Sequence, residues 1–151
     1  MNILQALTHM VIELYTGPMR ESNFQTLWKS YLQKNPPAES EAHELKLCKS
    51  TSFPFSSVNP NQIDCLMAVE KGFYYKISDM AAISGFASPK PFDNFWMTKT
   101  KGYVVICFYQ PRKYKKAFKI PVDQFVDIRD NWPRKSIRMD DLTLKFKPIE
   151  L

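Results

Sequence analysis

The residues with the clearest chemical potential are Glu44 and Lys46, in the segment Glu44-Leu45-Lys46. Side chains alternate between the two faces of a β-strand, so a carboxylate and an ammonium two residues apart project from the same face. Such a pair can meet one phosphate: the carboxylate holds a hard cation such as Mg²⁺, and the lysine orients a water or stabilises developing charge. The alternative is an ordinary ion pair on a solvated strand, and about one or two such triplets are expected by chance in a chain of this composition.

Other polar residues could complete such a site. Mg²⁺ is often bound by more than one carboxylate, and Asp93 follows a proline-containing loop at the start of a predicted strand. Glu21 is a further, outer candidate, and Gln62 could hydrogen-bond a metal-bound water or the phosphate. Each has a plainer alternative: a turn aspartate, a helix-start glutamate favoured by the macrodipole, and a solvated helix residue. His43 should point to the opposite face from Glu44, which favours a structural role.

The pattern around these residues predicts one mixed α/β domain over residues 21–151, preceded by an N-terminal segment over residues 1–20. Apolar spacing predicts a helix over 2–15, a second helix over 21–33 capped by Ser22, and a third from Asn59 or Asn61 to Glu70. Strands are predicted at 43–48, 73–77, 92–97, 102–109 and 117–122, with a short helix from about 123 to 128 and a weakly patterned basic tail from Arg129. The strand at 102–109 is continuously apolar, as a central buried strand would be.

The chain has a net charge of +6 and a pI near 9.2. This balance is compatible with binding a polyanion. No acidic residue interrupts the segment 99–119, and a second basic run follows between 129 and 138. The alternative for these runs is a solvated hairpin tip and loop. The candidate phosphate-binding residues are Lys99, Lys101, Arg112, Lys113, Lys115, Lys116, Arg134 and Lys135.

The cysteines and the hydropathy pattern indicate the cellular environment of the protein. Cys48, Cys65 and Cys107 are odd in number and lie in apolar surroundings without a CxxC pair, which favours reduced thiols in a cytoplasmic protein. No apolar run approaches the ~18 residues of a membrane span, and the N-terminus lacks the features of a signal peptide. The apolar helix predicted at residues 1–20 is therefore interpreted as a possible dimerisation element.

The extended segment that contains Glu44 resembles a known family. Glu44-Leu45-Lys46 followed by S-T-S-F-P-F-S-S-V-N-P-N-Q-I-D-C-L over residues 50–66 is similar to RecU-type Holliday junction resolvases and their small phage relatives. In that family a strand with Glu-x-Lys leads through a Phe-Pro segment to a helix that begins around a glutamine. Lys90-Pro-Phe-Asp-Asn-Phe95 and Arg134-Lys135-Ser136 are similar to family segments as well. The resemblance is close over residues 43–66 and loose over 21–138.

The resemblance implies a PD-(D/E)xK nuclease-like mixed sheet flanked by helices, and a usually dimeric, Mg²⁺-dependent endonuclease that cuts branched DNA, with Mn²⁺ as a possible substitute. It would act in the cytoplasm of a bacterium or of a phage-infected cell. The family places its metal-binding aspartate before the Glu-x-Lys strand, whereas residues 33–43 contain no Pro-Asp. We therefore expect a rearranged order of the Asp-bearing strands, in which Asp93 and Glu44 share the metal, Lys46 assists the water, and Gln62 and Glu21 support them.

Two other functions are compatible with the same sequence. One is a non-catalytic DNA-binding protein that assists recombination on the same fold, with a dimer and the basic surfaces but without firm metal binding. The other is a small phage protein that binds a host protein through aromatic side chains, for which Trp28, Trp96 and Trp132 are the candidates.

Overall fold

A computed structural model of the chain describes residues 19–78 and 91–151. The described elements are, in chain order, α1 (Glu21–Lys34), β1 (Glu41–Cys48), β2 (Ser52–Pro54), a 3₁₀ turn (Phe55–Ser57), α2 (Pro60–Lys71), β3 (Phe73–Lys76), β4 (Asn94–Met97), β5 (Lys101–Gln110), β6 (Tyr114–Pro121), α3 (Val122–Asn131), β7 (Ser136–Arg138), α4 (Met139–Lys145) and β8 (Ile149–Glu150). The predicted helix over 2–15 and most of the predicted loop over 78–91 lie outside the described residues.

The main sheet has four strands in the order β1-β5-β6-β8. β1 runs parallel to β5, whereas β5–β6 and β6–β8 are antiparallel. A parallel pair requires a crossover connection, and α2 with the β3–β4 hairpin lies within that connection. β2 pairs with β7 and β3 pairs with β4 in two small separate sheets. The chain is thus a mixed α/β protein with a mixed sheet flanked by helices, as the sequence predicts.

The two faces of β5 are buried in two separate hydrophobic clusters. Val104, Ile106 and Phe108 belong to the cluster that includes side chains of α2, α3 and α4. Val105 and Cys107 belong to the cluster formed with α1. A strand covered by helices on both faces is continuously apolar, which explains why the sequence located this strand well.

Helix α2 lies close to the sheet at Gly102. A Cβ atom added to Gly102 would lie 2.9 Å from the backbone carbonyl carbon of Leu66 and closer still to its carbonyl oxygen. Only a residue without a side chain allows this approach. Gly102 therefore fixes the distance between α2 and β5.

Several predicted boundaries are wrong in detail. Arg20, not Ser22, is the N-cap of α1. β1 begins at Glu41, two residues before the predicted start of this strand, because residues 41–48 all pair with β5. β4, which directly precedes β5 in the chain, begins at Asn94 rather than at residue 92 and pairs with β3. The tail after Arg129 is more ordered than predicted, since it contains β7, α4 and β8.

A polar cluster lies on the face of β1 that is covered by α1. Nε2 of His43 lies 2.8 Å from Oε2 of Glu41, and Nζ of Lys119 lies 2.6 Å from the same oxygen. The His43 ring packs edge-on against Trp28, with 5.6 Å between ring centroids, and Lys119 lies over the ring of Tyr103. His43 therefore faces away from Glu44, as strand alternation predicts, and helps to attach the edge of the sheet to α1.

Because His43 lies in this cluster, we expect the free energy of unfolding to decrease as the pH is lowered below neutrality. Burial lowers the pKa of His43 below its usual 6.5, and the hydrogen bond with Glu41 offsets this only in part. The unfolded chain then binds more protons than the folded chain as the pH falls through 6.5, which reduces stability. Urea unfolding between about pH 5 and pH 7 should show this slope. His43→Gln should flatten it, and an unchanged slope in that variant would exclude His43 as its source.

Candidate functional site

Glu44 lies in the middle of β1, opposite Val104 of β5. Its side chain is 26% exposed and that of Lys46 is 18% exposed. Nζ of Lys46 lies 3.1 Å from Oε1 of Glu44, and Nε2 of Gln62 donates a hydrogen bond of 2.7 Å to the same oxygen. The structure therefore brings together three of the predicted site residues, Glu44, Lys46 and Gln62.

Gln62 is held in place by the start of α2. The side chain of Asn59 accepts a hydrogen bond from the backbone N–H of Gln62 at 2.9 Å, and Oε1 of Gln62 accepts one from the backbone N–H of Asn59 at 3.1 Å. This reciprocal pair is a capping box. Because the cap occupies the amide oxygen of Gln62, the amide NH₂ group is the part that faces Glu44.

The surroundings of Glu44 are electropositive. The ammonium of Lys46 is adjacent to it, and its other partner, Gln62, lies in the first turn of α2, at the positive end of the helix dipole. Both donors meet Oε1, so Oε2 is the oxygen that a cation could take. The carboxylate of Glu44 is therefore held in place through one oxygen, while the side chain remains partly exposed.

The hydrogen bond between Gln62 and Glu44 can be tested by exchanging the two residue types. Gln62→Glu should retain the capping box, because glutamate is also favoured at this position, but it places a second carboxylate against Glu44. We expect a loss of about 1–3 kcal/mol in the free energy of unfolding. Adding Glu44→Gln should restore most of it, since the amide introduced on β1 can then donate to the carboxylate introduced on α2. Urea unfolding of both variants measures this, and equal losses in the single and double variants would show that the contact contributes nothing.

Asp93 lies in a different part of the fold from Glu44. It immediately precedes β4, is exposed, and accepts a backbone hydrogen bond from Ile77 through its carbonyl oxygen. The β3–β4 hairpin that it adjoins is a separate sheet that begins after the C-terminus of α2, whereas Glu44 contacts the N-terminal turn of α2. The shared metal of Glu44 and Asp93 remains a prediction.

Glu21 is the first residue of α1. α1 packs on the opposite face of the sheet from Glu44, through the buried side chains of Phe24 and Trp28. The sequence could not show this, since it does not specify on which face of the sheet a preceding helix packs. The structure thus does not place Glu21 beside Glu44.

The described residues contain no enclosed metal site. Among residues 19–78 and 91–151, no group of three or more His, Cys, Asp or Glu side chains could hold a metal ion. Mg²⁺ does not require such a cage, because it keeps several waters and is held by one or two carboxylates together with substrate phosphates. Glu44 is the carboxylate that fits this description.

The predicted phosphate-binding residues do not form one continuous surface. Lys101 begins β5, whereas Arg112 and Lys113 lie in the turn that follows Gln110. A strand of this length separates its two ends by about 30 Å. Lys115 and Lys116 are neighbours in β6 and therefore project from opposite faces. The uninterrupted basic segment in the sequence is divided by the length of β5 and by strand alternation.

The basic run in the tail packs against the segment that links β1 to α2. The backbone carbonyl of Lys135 accepts a hydrogen bond from Phe55, in the 3₁₀ turn that precedes α2. β7 pairs with β2, and the hydroxyl groups of Ser52 and Ser136 are 2.8 Å apart. The guanidinium of Arg134 is paired with Asp141 at 3.1 Å. The tail therefore joins the segment that links β1 to α2.

The three tryptophans differ in exposure. Trp28 is 2% exposed and belongs to the α1 cluster, and Trp132 packs against the other hydrophobic cluster. Trp96 is 63% exposed, beside Tyr74 at 58%. The prediction of one aromatic surface formed by all three tryptophans is therefore wrong. The pair of Tyr74 and Trp96 was not predicted from the sequence, although the alternation in Phe73–Lys76 could have indicated it.

Comparison of the chain with protein-family models, with curated proteins and with solved structures finds no significant match. In the described part of the chain, no helix is long and apolar enough to cross a membrane.

Proposed function

We propose that the protein is a metal-dependent endonuclease that cuts branched DNA, with its reaction centre at Glu44, Lys46 and Gln62. The observation that supports this most is the convergence of Lys46 and Gln62 on one carboxylate oxygen of Glu44. These residues come from both ends of the segment that resembles RecU-type resolvases. The mixed sheet flanked by helices is compatible with the PD-(D/E)xK nuclease architecture that this resemblance implies.

Each residue has a distinct role in the proposed reaction. A Mg²⁺ ion held by Glu44, with Asp93 as the expected second ligand, would polarise the scissile phosphate and activate a water. Lys46 would orient that water and stabilise the negative charge that develops on the phosphate. Gln62 positions the carboxylate of Glu44 through its hydrogen bond, and the capping box limits its own movement.

The basic residues would bind the DNA backbone. Contacts between lysine or arginine and phosphate provide affinity that is independent of sequence and falls steeply with salt. Lys135 and the nearby tail pair with the segment that links β1 to α2, so they would contact phosphates on this side of the reaction centre. Lys101 pairs with Glu41, three residues before Glu44 on β1, so it would contact phosphates near the reaction centre. The Arg112–Lys113 turn, at the other end of β5, would contact a more distant arm of a branched substrate.

The proposal is tested with purified protein and a labelled four-way junction, in Mg²⁺, Mn²⁺ or EDTA. We expect cleavage in either metal, none in EDTA, and weaker cleavage of linear duplex of the same sequence. Paired nicks in opposite strands would support the predicted homodimer. Residues 1–18, which contain most of the predicted dimerisation element, lie outside the described residues, so the dimer is tested separately by sedimentation.

A non-catalytic DNA-binding protein is the second candidate function. The observation that favours it is the position of Asp93 on a separate hairpin, which leaves Glu44 as the single carboxylate of the described cluster. In that case the same assay would give tight junction binding and no product in either metal.

A further inference from the structure

We propose that the exposed face of the β3–β4 hairpin stacks on unpaired DNA bases, with Trp96 and Tyr74 as the stacking side chains. This inference rests on the proposed function, because it states which part of a branched DNA substrate the hairpin would bind. Its evidence is separate from that for the reaction centre, because none of the hairpin residues contributes to the Glu44 cluster.

The hairpin presents two faces of different character. In an antiparallel pair, directly opposed residues share a face, so Tyr74 with Trp96 and Lys76 with Asn94 form one face. All four residues are exposed. We call this set, Tyr74, Lys76, Asn94 and Trp96, the exposed hairpin face.

The other face holds the hairpin together through ring contacts, although Tyr75 is itself 50% exposed. Phe73 lies opposite Met97 and Tyr75 lies opposite Phe95. The rings of Tyr75 and Phe95 are 5.3 Å apart, and those of Phe73 and Tyr75 are 6.3 Å apart and nearly parallel. These contacts stabilise the pair of strands, so the aromatic residues of the exposed hairpin face are not needed for that packing.

Trp96 is exposed, yet one part of its ring contacts the backbone. Its ring lies against Gly72, where an added Cβ atom would be 2.8 Å from Cη2 of the indole. Gly72 has a φ of +153°, a conformation that favours glycine. One side of the indole is therefore supported by backbone while much of its surface is open, which is the arrangement of a preformed stacking platform.

The charges nearby suit a nucleic acid. Four exposed lysines lie on the hairpin or at its base, against three acidic residues, Glu39, Glu70 and Asp93; the lysines are Lys71, Lys76, Lys99 and Lys101. Proteins that bind single-stranded nucleic acid combine aromatic stacking residues with a basic surface in this way. A lysine and an asparagine within the same face are less suited to an apolar protein interface, whose core is depleted in charged residues.

Helix α2 relates this platform to the reaction centre. Gln62 lies in its first turn and Gly72 follows its last residue, so the helix separates the two by about 15 Å. This is roughly four nucleotide steps at ~3.4 Å along a strand. The exposed hairpin face would therefore hold unpaired bases at a branch point while Glu44 acts a few nucleotides away.

The test measures DNA binding without cleavage. Fluorescence anisotropy in EDTA gives the Kd for a labelled oligothymidylate and for a linear duplex, with wild type, Trp96→Leu and Trp96→Phe. Trp96→Leu should raise the Kd for the single strand by about 5- to 100-fold. Trp96→Phe, which keeps an aromatic ring, should stay within about fivefold of wild type, and duplex binding should change less than single-strand binding in both variants.

Three results would overturn the proposal: no single-strand binding by the wild type, an unchanged Kd in Trp96→Leu, or equal losses for single strand and duplex. Thermal unfolding of the variants shows whether the fold is intact, and Tyr74→Leu provides a second substitution on the same face. The assay contains no metal, so loss of cleavage alone would contradict the proposed function and leave this result unaffected.

Discussion

Replacing Glu44 by glutamine should lower the rate of four-way junction cleavage by about 10³-fold, the effect of losing several kcal/mol of transition-state stabilisation. Glutamine has nearly the same shape but no negative charge, so it cannot hold a cation as a carboxylate does. Junction affinity should remain within about twofold of wild type, because binding depends mainly on contacts between basic residues and phosphate. Single-turnover cleavage in Mg²⁺ and anisotropy in EDTA measure the two quantities separately.

Glu41→Gln is a matched control for this substitution. Glu41 lies on the same strand three residues earlier, so it projects from the other face of the sheet, where it pairs with His43 and Lys119. The control should lose some stability but keep its cleavage rate within a few-fold. Similar losses of activity in Glu44→Gln and Glu41→Gln would show that Glu44 contributes to the fold and not to the reaction.

Gly102→Ala should destabilise the protein by about 3 kcal/mol or more, because the new methyl group overlaps the backbone of Leu66 in α2. Backbone on both sides of the contact leaves no flexible side chain to move aside, so the helix must shift away from β5. The same shift would move Gln62 relative to Glu44, and cleavage by the remaining folded protein should fall as well. Urea unfolding gives the stability, and cleavage at low temperature gives the activity.

Lys101→Ala is the matched control for stability, since it changes the neighbouring residue of the same strand at an exposed position. It should alter the free energy of unfolding by less than about 0.5 kcal/mol. If Gly102→Ala were equally mild, the close approach of α2 to β5 would not be a constraint on the fold.

The sequence predicted the elements whose pattern is local. β5 is continuously apolar, α2 begins with an Asn59 cap, and β1 shows the alternation that separates Glu44 from His43. The face of the sheet on which α1 packs depends instead on contacts between distant residues, so the position of Glu21 could not be predicted. The pairing of β4 with β3 is also non-local, because β4 precedes β5 directly and a simple hairpin between those two would have been equally compatible with the sequence.

The candidate site was predictable to a similar degree. Strand alternation predicted that Glu44 and Lys46 share a face, because that rule acts within a short segment. Gln62 was only a candidate in the sequence, since its contact with Glu44 joins residues 18 positions apart. The separation of the basic residues in space could not be predicted, because a run of charges in the sequence contains no information on strand length or turn position. The position of Asp93 relative to Glu44 depends on how the β3–β4 hairpin is oriented, and no local sequence pattern specifies that orientation.

The most direct test of the central claim is to locate the cation. Fe²⁺ can replace Mg²⁺ in many such sites, and with ascorbate and peroxide it generates hydroxyl radicals that cut the protein backbone close to the ion. Mass spectrometry of the fragments should show cuts near residues 44–46 and 62, suppressed by excess Mg²⁺ and absent in Glu44→Gln. Cuts near residue 93 in the same sample would place Asp93 at the ion. A fragment pattern without cuts at 44–46, or one unchanged in Glu44→Gln, would contradict a metal-dependent site at Glu44.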